Sequence, residues 1–138
     1  MTNDITDLFP FIFLIFVFLV FAFVYVGGKL KADCEVGKTP IFQEQCGGRF
    51  DGINLSAPFV RHSLYDDFML LAYGNAKIVL HYTEIVEVSL EKHILSKGIS
   101  ISHNRKDLSQ SIIVWSFSPE KVMKIFGTKN ISIKTTNL

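Results

Sequence analysis

From Leu8 to Gly28 the chain runs 21 residues without a charged side chain, and seven of its 13 Phe fall in that stretch. As a helix rising about 1.5 Å per residue, the segment is about 31 Å long, the thickness of a bilayer core. A cleaved signal peptide fits poorly, because the start is acidic (Asp4, Asp7) and no small-x-small site precedes the rest of the chain. The segment therefore predicts a retained transmembrane helix over 8–28, after a short tail of residues 1–7. Removing it leaves about 110 residues of ordinary polar content, enough for one small domain. A two-domain enzyme and a multi-pass transporter are excluded on size.

The flanks predict a direction. No Lys or Arg precedes the apolar run, whereas Lys29 and Lys31 follow it immediately. The positive-inside bias then makes this a single-pass membrane protein with its N-terminus outside and its C-terminal domain on the cytoplasmic side. Lys29 and Lys31 are the expected membrane-surface cations. On a helical wheel Phe9, Phe13, Phe16 and Phe23 share a face, with Phe11, Phe18 and Tyr25 nearly opposite. Two accounts of that face stay open: bulk facing lipid, or a ridge that docks on other transmembrane helices, bound pigments or lipids. The absence of a Gly-x-x-x-Gly pair argues against tight self-pairing.

Residues 29–56 read as a linker and irregular lead-in. They hold both cysteines, Cys34 and Cys46, with eleven residues between them. That spacing is neither a zinc pattern nor a Cys-x-x-Cys redox motif. The pair is free in a reducing compartment. In an oxidising one it closes a disulfide loop worth about 3 kcal/mol, against the orientation given by the lysines.

From Ala57 short β-type runs alternate with turns. Phe59–Tyr65, Asp67–Tyr73, Ala76–Tyr82, Ile85–Leu90, Ile99–His103 and Ser111–Phe117 read as strands, with Gly74-Asn75 as a tight turn. The period then changes. Ser118-Pro119-Glu120 starts a helix over 119–126, with Val122, Met123, Ile125 and Phe126 as its apolar face and Gly127 as its stop. A last short strand over Asn130–Lys134 follows. Trp115 is expected to be largely buried, with Ile125 and Phe126 packed on the sheet.

The run Lys77-Ile78-Val79-Leu80-His81-Tyr82-Thr83-Glu84-Ile85, the strand Lys97-Gly98-Ile99-Ser100-Ile101 and the Ser-Pro-Glu helix together resemble the pleckstrin-homology-like superfold, in its small bacterial and GRAM-type versions. The resemblance implies an α+β fold over 57–138: a bent antiparallel sheet or open barrel closed by a C-terminal helix, behind the membrane helix. It also implies a binding or scaffolding role. Lipid-binding members carry basic residues between their first two strands, where this chain has Tyr65-Asp66-Asp67. That departure counts against an anionic headgroup in the usual place.

Catalytic chemistry finds no footing in the sequence. His62, His81, His93 and His103 lack ligand spacing to one another or to a Cys or acid, and read as ordinary sheet histidines rather than a metal set. No nucleophile elbow, P-loop or dinucleotide fingerprint is present, so no enzyme, cofactor or metal is expected. From Lys29 onward lie all 14 Lys and Arg and 11 of the 13 acids, a net +3. Arg105-Lys106 and Lys121/Lys124 are too sparse for a nucleic-acid stripe. The expected function is a non-catalytic accessory or scaffolding subunit of a membrane protein complex, with other transmembrane subunits as partners. The alternative is an independent membrane-surface lipid- or peptide-binding module.

Overall fold

The computed structural model describes residues 4–92 and 97–134, with the side chains of 4–7, 24, 25, 28 and 29 also outside the described set. Helix α1 (Asp4–Lys29) leads through a 3-10 turn (Asp33–Glu35) into eight strands. These are β1 (Phe42–Phe50), β2 (Ile53–Leu64), β3 (Phe68–Tyr73), β4 (Ala76–His81), β5 (Ile85–Lys92), β6 (Lys97–His103), β7 (Ser111–Trp115) and β8 (Ser132–Lys134). Helix α2 (Pro119–Thr128) lies between the last two. All eight strands form one sheet in the order β4-β3-β2-β1-β7-β6-β5-β8, curled into a half-barrel.

β1 joins the two halves of the sheet. One edge pairs with β2, Glu44 opposite His62 and Cys46 opposite Val60, and a register shift follows between Cys46 and Gly48. The other edge pairs Gly47 with Trp115 of β7. A Cβ on Gly47 would meet the Leu55 carbonyl oxygen at 2.6 Å and the Trp115 ring at 2.8 Å, so only glycine lets the strands and the indole come this close. Gly74, at φ +52°, makes the β3–β4 hairpin turn.

Strict alternation sorts the side chains of β3. Met69 and Leu71 enter the concave core with Cys46, Val60, Leu64, Leu80, Ile101, Val114, Val122 and Phe126. Phe68, Leu70 and Ala72 point the other way into a second cluster with Tyr65, against which Cys34 packs. The sheet is thus covered on both faces here, by α2 inside and by the 3-10 turn outside. Helix α2 starts with Pro at its first position and buries Pro119, Val122 and Phe126.

Several expectations are corrected. Among the described residues no helix is long and apolar enough to cross a membrane. The transmembrane span over 8–28 is therefore not supported. The single-pass placement falls with it, as does the direction with the N-terminus outside and the domain on the cytoplasmic side. The expected α+β class is replaced by a mostly-sheet half-barrel with a helix at each end. The sheet begins at Phe42, within the expected lead-in, and it is not wholly antiparallel, since β8 runs parallel to β5. Gly127 lies inside α2 and does not stop it; Lys129 caps the helix and Asn130 turns the chain at φ +58°. Trp115 is half-buried rather than largely buried.

Candidate docking helix and its clasp

Helix α1 exposes apolar side chains all round. Phe9, Phe13, Phe16 and Phe23 are each more than half exposed, and Phe11 and Phe18 opposite them equally so. The four expected docking residues do share a face, and Phe9 stacks on Phe13 with ring centroids 6.4 Å apart. Exposure does not single that face out. Lys31 is exposed, while the side chain of Lys29 lies outside the described residues. A run of this size left open is far beyond the scattered apolar exposure of ordinary surfaces.

The helix is nonetheless anchored. Arg61, on the outer face of β2, donates from Nη1 to Glu35 Oε1 at 2.5 Å and from Nη2 to Glu35 Oε2 at 2.8 Å. The same Nη2 donates to the Leu30 carbonyl just past α1 at 3.2 Å. Glu35 also accepts from the Tyr65 hydroxyl at 2.6 Å and the Ala32 backbone N–H at 2.6 Å. Glu35 is fully buried and Arg61 nearly so. Burial alone would raise the Glu35 pKa, but the hydrogen bonds from Arg61, Tyr65 and Ala32, with the charge of Arg61, hold it at about 2. Burial and the neighbouring carboxylate push the Tyr65 hydroxyl up to about 12. Removing one partner of such a buried pair strands the other charge, at a cost of about 3–5 kcal/mol. The clasp therefore fixes where α1 leaves the domain. Beside it, a cleft of about 350 Å³ between α1 and the sheet is lined by Phe23, Gly27, Leu55, Phe59 and Tyr73, among others.

A second polar cluster sits within the fold. Glu44 and Cys46 project from β1 on the same face as His62 of β2, and one ligand-capable atom from each lies within 4.8 Å of the other two. His62 Nδ1 is 3.2 Å from Glu44 Oε1. Glu44 Oε2 accepts from the Phe117 backbone N–H at 3.0 Å. Burial opposes ionisation of Glu44, but its hydrogen bonds with His62, Ser116 and Phe117 lower its pKa overall. Burial, and secondarily the charge of Glu44, push the Cys46 thiol well up. Ser116 and Phe117 line a cavity of about 480 Å³ together with Gly47, Trp115 and Lys97.

The cysteines expected as a possible disulfide are both free. They belong to the two clusters on opposite faces of the sheet, which explains why they do not meet. Asp66 and Asp67 in the β2–β3 turn pair with Lys129 and Lys38. Arg105 is held by Asp107 and by the Val79 carbonyl. His93 lies outside the described residues. Sequence spacing missed both polar clusters because their members meet across strands: Glu44 finds His62 through the β1–β2 register, and Glu35 finds Arg61 across 26 residues. No family model, curated protein or solved structure matches this chain.

Proposed function

We propose that this protein is a non-catalytic docking and bracing subunit of a membrane protein assembly. In this reading apolar helices of its partners cover α1, and the β domain braces the assembly beside them. One observation carries the reading: a helix with large apolar side chains exposed on every face is held by a buried Arg61–Glu35–Tyr65 clasp rather than left on a loose tether. Apolar surface of this extent favours burial at roughly 25 cal/mol per Å², and this chain supplies no cover for it among the described residues. The resemblance to pleckstrin-homology-like domains belongs to the same proposal. It is supported by the β4-β3-β2-β1 meander, the β1–β7 pairing and the single helix packed by Val122 and Phe126 into the core. The pairing of Asp66 and Asp67 with lysines leaves the β2–β3 turn poorly suited to anionic headgroups, which favours a protein partner over a lipid one.

The test is gentle detergent extraction of the native source, followed by native sizing and mass spectrometry of whatever travels with the chain. Co-migration with a larger assembly at fixed stoichiometry supports the reading. A lone small species, with salt-sensitive binding of the chain to anionic vesicles, would replace it with the independent membrane-surface module.

A further inference from the structure

We propose that Glu44, Cys46 and His62 form a binding site for a zinc-class divalent cation, built on the β1–β2 pair. The three residues supply the oxygen, sulfur and nitrogen ligands that zinc takes. Glu44 and Cys46 are two apart on one strand, which puts them on the same face, and the register sets His62 directly opposite Glu44. With metal–ligand bonds of about 2.0 Å, a tetrahedral oxygen–nitrogen edge is about 3.3 Å. Glu44 Oε1 and His62 Nδ1 are 3.2 Å apart. The Cys46 sulfur completes a triangle whose ligand atoms all lie within 4.8 Å.

With Nδ1 turned towards Glu44, the rest of the imidazole is enclosed as well. The His62 side chain is completely buried, and its Nε2 has no hydrogen-bond partner among the described residues. A buried ring nitrogen without a partner is an uncommon cost, one that His103 Nε2 and Trp115 Nε1 also carry in this fold. Charge arithmetic also favours a dication. A thiolate, a carboxylate and a neutral imidazole around a 2+ ion sum to zero, so the occupied site carries no net charge into the core. Ser116 and Phe117 both hold Glu44 and line the 480 Å³ cavity, which places that cavity next to the Glu44 end of the site.

The experiment is a cobalt titration of the phosphine-reduced full chain, read by absorbance. The expected result is a thiolate-to-cobalt charge-transfer band in the near ultraviolet with intense tetrahedral visible bands, saturating at one ion per chain and displaced by zinc. Cys34→Ser, which leaves Cys46 as the sole thiol, should keep the whole signal. Cys46→Ala should abolish the charge-transfer band, and His62→Gln should weaken cobalt binding by more than about a hundredfold, beyond the loss typical of an outer-shell partner. Absence of the band in the unmodified chain would overturn the proposal, as would its loss in Cys34→Ser. Because Cys34 is only half-buried and lies on the opposite face of the sheet from the proposed ligands, the test stands on the unmodified chain and Cys34→Ser even if the Cys46 or His62 variants fail to fold.

Discussion

The two helices of this protein are built on opposite rules. Helix α2 is amphipathic: Val122 and Phe126 are fully buried against the sheet, and Lys121 and Lys124 face outward. Helix α1 is apolar on all sides, yet Phe9, Phe13, Phe16 and Phe18 are all exposed. The stripe on α2 matches a partner within the chain, so its burial stabilises the fold. The uniform surface of α1 is left mostly open by the described residues, and under the proposed reading a partner covers it. Periodicity, more than hydrophobicity, tells which helix the fold itself needs.

The comparison can be broken most sharply at Phe126. Phe126→Ala should lower unfolding free energy by about 3–5 kcal/mol in a denaturant titration, because it empties a closed part of the core. An unchanged midpoint would mean that α2 is not a core element. Arg61→Ala should cost a comparable 3–5 kcal/mol by leaving Glu35 buried without its partner. Pairing Arg61→Met with Glu35→Leu should recover most of that loss, since no charge is then stranded. If the double variant is as weak as Arg61→Ala, packing rather than charge pairing holds the clasp.

A smaller effect is expected at the β1 junction. Gly47→Ala forces a methyl against the Leu55 carbonyl and the Trp115 ring, and should cost about 1–3 kcal/mol together with a shift in Trp fluorescence.

The clasp also predicts a pH profile. Glu35 titrates at about 2 in the fold against 4.5 for the free side chain, so its contribution is complete above pH 4.5 and is lost progressively as pH falls towards 2. Tyr65 has the opposite sign. Its pKa is raised from 10 to about 12, so its contribution is intact below pH 10 and is lost as pH rises through 12. Thermal unfolding across pH should therefore show a plateau bounded by these two limbs, and Glu35→Gln should blunt the acid one. The smallest effect is expected on α1 itself: Phe13→Ser should move the stability of the isolated chain by no more than about 0.5 kcal/mol.

The legible parts of the fold were those where local chemistry and final position agree. The alternation in Ala76–His81 and Lys97–His103, the Gly74-Asn75 turn and the Ser-Pro-Glu start of α2 could be read directly, because each pattern is set by neighbours in sequence. β1 was hidden. Its centre is Cys46-Gly47-Gly48, a turn-like string whose glycines are required by the Trp115 and Phe50 rings packed against them. Helix α1 misled for a related reason: an apolar run reports a need for cover without saying what provides it. The candidate sites were the least legible. Glu44, Cys46 and His62, like Glu35, Arg61 and Tyr65, acquire their chemistry only once the register brings them together.

The central claim is that α1 is covered by a protein partner while α2 is covered by its own chain. Its most direct test places a photoreactive phenylalanine analogue at position 16 or position 126 in the full chain, within its native assembly. The account predicts a discrete adduct to another polypeptide from position 16 and only intrachain products from position 126. Equal failure of both positions to reach another polypeptide would contradict it.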